Sequence, residues 1–96
     1  FEEKVIIGDN VLIGPFSVLR ASNHNSKNID LPITEQGHHP GKIIIGNDCW
    51  IAPGASIRDN IKIAENCTIG LGSVVVKSTE PNSIYYGNPA KLIKRK

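Results

Sequence analysis

Bulky aliphatic side chains recur at a step of six along the second half of this chain, at Ile45, Ile51, Ile57, Ile63, Ile69 and Val75. Ile7, Ile13 and Leu19 keep the same step earlier, so nine positions share one phase once the residues between 19 and 45 are set aside. Four places after each aliphatic comes a mostly small or short residue: Val11, Ser17, Asn23, Cys49, Ala55, Ile61, Cys67 and Ser73. A period of six fits neither the ~3.6 of an α-helix nor the ~2 of a strand, and fixed self-similarity of this kind marks a repeat solenoid. A short strand, a corner and another short strand satisfy it, each strand turning its aliphatic inward. Three such faces close a coil of eighteen residues. Ile45 is then expected over Ile63, Ile51 over Ile69 and Ile57 over Val75, at the ~4.8 Å spacing of paired strands.

In chain order, Phe1 to Lys4 is a lead-in and residues 1–24 make the first coil, with Pro15 in a corner where no ladder donor is needed. Arg20, Asn23 and His24 end that coil on polar ground. The period then breaks. Restoring the register between Leu19 and Ile45 requires an inserted loop of twenty residues, 25–44, rich in Asn, Gly, Pro and charge. A connection this long inside a compact repeat is usually functional, and solenoids place such insertions on one face as binding walls. Residues 45–77 supply the second and third coils, entered from Lys42. Residues 78–96 form a carboxyl-terminal cap and tail: a turn at 78–81, a short strand at 83–87, and a small helix or extended end at 90–96. Tyr85 and Tyr86 are expected to cover the open end of the core.

Ninety-six residues make a single domain with a modest core, and a stack of about three coils favours a partner surface. The chain lacks methionine and opens at Phe1 almost directly in the repeat, so it is expected to be the carboxyl-terminal part of a longer protein. No apolar run reaches the length of a membrane span and no signal-peptide pattern opens the chain, so a cytoplasmic location is expected. Lys91, Lys94, Arg95 and Lys96 supply four of eleven basic residues, leaving seven basic against nine acidic over 1–90. That balance suits a local anion site better than a nucleic-acid surface. Cys49 and Cys67 are eighteen apart at one repeat position and read as small stacked core residues, not as a disulfide or a zinc site.

The repeat, His24 before a long loop, KIIIGNDCWIAPGASI at 42–57, IGLGSVVVKS at 69–78 and PNSIYYGNPAKLIK at 81–94 together resemble the hexapeptide-repeat acyltransferases. The likeness is strongest to sugar and antigen O-acetyltransferases, with maltose, galactoside and serine acetyltransferases as relatives. It implies an all-β, left-handed parallel β-helix, opposite in hand to ordinary parallel crossovers. It also implies a homotrimer with sites between subunits, and acetyl-CoA as cosubstrate with no metal.

His24 stands where the first coil ends and the inserted loop begins. An imidazole with an ordinary pKa of ~6.5 can accept a proton at neutral pH, although a corner histidine bonded to backbone is the plainer alternative. The resemblance makes it the general base that takes the proton of an acceptor hydroxyl. Asn23, His38 and His39 are expected at the acceptor site, and His38 and His39 without a third ligand do not suggest zinc. Trp50, the only tryptophan, is expected at an outward corner position, packed on the loop or on a neighbouring subunit, or walling the acetyl site.

The family pattern carries a coenzyme A track onto Ala52, Leu71, Gly72, Ser73, Val76 and Lys77, with Lys77, Lys91 and Lys94 toward the phosphates. Pro53 and Leu71 depart from that pattern, which commonly has Ser or Ala at the first and Ala at the second. Ser17 and Ser73 read as core by their repeat positions. No phosphate loop, nucleophile elbow or cysteine–histidine pair is present, which favours direct transfer over an acyl-enzyme. The expected activity is acetyl-CoA-dependent O-acetylation of a sugar or glycan hydroxyl. N-acetylation of a nucleotide sugar and a non-catalytic trimeric scaffold are the alternatives.

Overall fold

The computed structural model describes residues 4–96, so the lead-in at 1–3 lies outside the described residues. Strands β1 (Lys4–Ile7), β2 (Leu12–Ile13) and β3 (Val18–Leu19) form the first coil. The inserted segment follows, with β4 (Ser22–His24), a 3-10 turn at Ile33–Glu35 and β5 (His38–Pro40). The second coil is β6 (Lys42–Ile45), β7 (Trp50–Ile51) and β8 (Ser56–Ile57). The third is β9 (Ile61–Ile63), β10 (Thr68–Ile69) and β11 (Val74–Val75), and β12 (Ser83–Gly87) and β13 (Ala90–Arg95) close the chain. No α-helix occurs among the described residues.

Parallel pairing gathers these strands into three faces: β1-β6-β9, β2-β7-β10-β12 and β3-β8-β11. The register stacks Ile7, Ile45 and Ile63 on the first face; Ile13, Ile51, Ile69 and Tyr85 on the second; and Leu19, Ile57 and Val75 on the third. These are the ladders expected from the step of six. Lys42 pairs with Lys4, so residues 42–44 belong to β6 and not to the inserted loop in which the sequence reading counted them.

The rungs of the first coil are less well sealed than those of the second and third. Ile51 and Ile69 are fully buried, whereas Ile13, with no described coil beyond it, keeps 40% of its surface exposed. Cys49 and Cys67 are buried, free thiols that donate to the carbonyls of Ala64 at 3.1 Å and Glu80 at 3.0 Å. Burial pushes the Cys49 thiol up, which suits an inert core residue. Ser17 is half-buried, its hydroxyl donating to the Ala52 carbonyl.

At the far end β12 continues the second face, and Tyr85 sits over Ile69 and packs on the core. The neighbouring Tyr86 points the other way, since successive strand residues alternate. It lies across Gly70, where any Cβ would strike its ring, and half its surface is exposed, so Tyr85 alone of the pair covers the core. The tail is extended: β13 pairs antiparallel with β12, matching Lys94 to Ile84 and Lys91 to Tyr86.

The corners between the second and third faces need a residue with positive φ. Gly54 and Gly72 supply it in two coils, but in the first coil the position is Phe16, at φ 61° and 91% exposed. A bulky residue held there costs about 1–2 kcal/mol and gains no core contact in return. Phe16→Asn, which tolerates this conformation, is expected to stabilise the chain by about 1 kcal/mol and raise Tm by roughly 4–8 °C. An unchanged or lower Tm in a thermal melt would mean that Phe16 makes a stabilising contact that outweighs its backbone cost.

Candidate functional site

The inserted segment is tied down by its own side chains. Strands β4 and β5 pair antiparallel, setting Asn23 opposite His39 and His24 opposite His38. Beyond them the Asn25 amide donates to the Gly37 carbonyl at 3.0 Å. Gln36 stitches the loop together: its Nε2 donates to the carbonyls of Asn28 and Leu31, both at 2.9 Å, and its Oε1 accepts from the Asn28 amide. The returning strand passes close to the coil at Gly41, where a Cβ would meet the Ala21 carbonyl and Asp59.

Asp59 is the anchor of this arrangement. It is buried, at the corner after β8, and its carboxylate faces His39 Nε2 at 3.3 Å, Asn23 Nδ2 at 3.4 Å, Asn60 Nδ2 at 3.4 Å and Arg58 Nε at 3.6 Å. Burial alone would raise this carboxyl. Its own backbone amide, the Arg58 charge, the Asn23 amide and the His39 charge outweigh that effect and hold it below the usual carboxylate range.

His39 is gripped from both sides. Its Nδ1 lies 2.8 Å from Asn25 Oδ1, and the Asn25 amide nitrogen is committed to the Gln36 carbonyl at 3.0 Å, so an oxygen faces the ring. With Asp59 at the other nitrogen, both ring nitrogens of His39 face oxygen atoms.

His24 is exposed and sits between two clefts. One, of about 500 Å³, lies within the loop and is lined by His24, Lys27, Leu31, Gln36 and His39 among others. The second, of about 320 Å³, lies over the third face, with Val18, Ser56 and Val74 from successive coils and Arg20, Asn23, His24, Arg58 and Asp59 at the corner. The His24 backbone amide donates to Asn23 Oδ1, and its ring meets that of His38 edge-on with centroids 6.2 Å apart.

A family model for the bacterial transferase hexapeptide, six repeats, matches residues 42–77, the second and third coils. The chain is 35% identical over 98 residues to the galactoside O-acetyltransferase of Escherichia coli strain K12, a match covering 94% of this chain and 43% of that protein. It is 45% identical over 65 residues to a probable macrolide acetyltransferase of Lysinibacillus sphaericus, covering 68% of this chain and 36% of that one. Among solved structures, a galactoside acetyltransferase in complex with coenzyme A superposes with a TM-score of 0.87 at 35% identity, over 95% of this chain and 44% of that one.

The chain carries the repeat of the hexapeptide transferases over its second and third coils. It spans less than half the length of these relatives.

Of the residues singled out by the family pattern, Asn23, His24, His38 and His39 meet in the β4–β5 hairpin. Leu71, Gly72 and Ser73 stand at one end of β11 and Val76 and Lys77 at the other, so this stretch borders the same face as the second His24 cleft, which Val74 lines. Ser73 is buried and its polar groups are used inside the fold: its amide donates to Gly70, its carbonyl accepts from Ser56, and its hydroxyl accepts from Gly87. Trp50 is on β7 itself and not at a corner, half-exposed on the outer side of the second face, in register with Leu12 and Thr68. Ala52 follows it and is buried, and Lys91 and Lys94 are exposed on β13 of the same sheet.

Asp59 and Gln36 carry the site geometry, and the sequence reading named neither. Because the native carboxyl of Asp59 is lowered, its stabilising effect is complete above the ordinary range near pH ~4 and is lost as pH falls through the lower native value. Asp59→Ala is expected to cost about 1–3 kcal/mol and to speed hydrogen exchange at the Asn25 amide while sparing the coil strands. Unchanged exchange at Asn25 would show that the loop is held without this carboxylate.

Proposed function

We propose that the protein is an acetyl-CoA-dependent O-acetyltransferase that acts on a sugar hydroxyl, built as a left-handed parallel β-helix and active as a homotrimer. The observation that carries this reading is His24, exposed between the loop cleft and the cleft over the third face, in a chain aligned along 94% of its length with a galactoside O-acetyltransferase. His24 takes the proton of the acceptor hydroxyl as that oxygen bonds to the thioester carbonyl carbon. The tetrahedral intermediate then collapses with cleavage of the C–S bond, and the leaving thiolate receives the proton from His24. Asn23, His38 and His39 shape the acceptor side.

The coenzyme A track is Ala52, Leu71, Gly72, Ser73, Val76 and Lys77, with Lys77, Lys91 and Lys94 toward its phosphates. Ser73 contributes shape alone, its polar groups being engaged. No metal takes part in this scheme. Among the described residues no helix is long and apolar enough to cross a membrane, and the reading places the enzyme in the cytoplasm, with its cosubstrate.

Trp50 is on the second face and His24 is in the β4–β5 hairpin beside the cleft over the third, and in this reading a site draws its Trp50 from a neighbouring subunit. His24→Ala is expected to lower turnover by about 10²–10⁴-fold while calorimetric titration shows acetyl-CoA affinity unchanged. Turnover at the wild-type rate would remove His24 from the chemistry. Mixed trimers of His24→Ala and Trp50→Ala chains are expected to recover turnover that neither variant shows alone. Failure to recover it in co-assembled trimers would place both residues in one subunit's site.

A further inference from the structure

We propose that the acceptor carries an anionic group, a carboxylate or a phosphate, and that Arg20 and Arg58 receive it beside His24; this rests on the reading of His24 as the acceptor-side base. Leu19 is in register with Ile57, and the Arg20 amide donates to the Ile57 carbonyl at 3.0 Å, so Arg20 and Arg58 stand on successive coils at one corner. Both line the 320 Å³ cleft that contains His24. Neighbouring like charges on adjacent strands are unfavourable, and the next coil places the uncharged Val76 at this position.

The acid in the cleft does not neutralise the pair. Among the described residues Asp59 is the single carboxylate lining it, is buried, and is already shared among His39, Arg58, Asn23 and Asn60. Arg58 meets Asp59 through Nε, leaving its terminal nitrogens outside that ion pair, and no ion pair among the described residues includes Arg20. Arg20 also lines a separate cleft with Lys4. The cleft therefore holds an excess of positive charge on planar forks that match carboxylate or phosphate oxygens. An acceptor anchored there by its anion presents a neighbouring hydroxyl to His24.

The test reads the histidine ring signals of the intact chain by NMR, without turnover, during separate titrations with glucuronate, glucose 6-phosphate and glucose. Glucuronate or glucose 6-phosphate is expected to shift the His24 signals saturably at millimolar concentration, and the stronger of the two names the anion. Glucose is expected to bind at least about tenfold more weakly. Arg20→Ala and Arg58→Ala should each weaken the anion about tenfold, Arg20→Lys should keep part of the affinity, and added salt should reduce it.

Equal response to glucose, no saturation by either anion up to about 50 mM, or unchanged affinity in both alanine variants overturns the proposal. Calorimetry with acetyl-CoA on the same variants separates the two readings. Loss of acetyl-CoA binding in the arginine variants would assign the pair to the cosubstrate and overturn the acceptor site. Absence of acetyl-CoA binding in the unaltered chain would instead overturn the transferase reading, whatever the anion result.

Discussion

Coil-on-coil stacking is the contact on which everything else in this protein depends. The same backbone bond recurs from coil to coil, from Gly8 to Ile45 and from Gly46 to Ile63, and from Leu12 to Cys49 and Trp50 to Cys67. Each repetition sets one aliphatic over another, and a fully buried Ile contributes about 1.5–3 kcal/mol. The two effects require each other. A slip of one residue would turn each rung outward, so the hydrophobic pattern and the hydrogen-bond ladder specify a single register.

This constraint explains how a large insertion is tolerated. Ile7 and Ile45 are paired although 38 residues apart, which is one eighteen-residue coil plus twenty. The extra residues leave the ladder where it was and emerge at the corner after the third face. A closed loop grows only slowly more costly with length, so the stack bears it without losing register. The loop still needs fasteners of its own, because the ladder does not reach it. Gln36 holds it internally, and Asp59 ties its base to the second coil through His39 and Asn23.

The core was legible because periodicity is a property of the chain alone: six positions from Ile45 to Val75 announce their stacking before any fold is known. His24 was legible as the residue at the break in that period, and the structure does set it at a cleft edge. Asp59 was not, since Arg-Asp-Asn at a corner reads as ordinary turn chemistry. Its partners Asn23 and His39 are 36 and 20 residues away, brought near by a loop that no period describes. The tail was open between helix and strand because its pairing partner, β12, is decided by what remains unpaired at the end of the stack. Phe16 shows the opposite failure: the repeat predicts a corner there, but side-chain size says nothing of the positive φ that the corner imposes.

The three-faced cross-section also bears on assembly. In one chain Trp50 looks outward from the second face, and the His24 cleft lies over the third. The corner at 52–55 and 70–73 stands between those faces. A second copy turned about an axis parallel to the stack can set its second face against the third face of the first. That contact is heterologous, and repeated heterologous contacts either close a ring or run on as a filament.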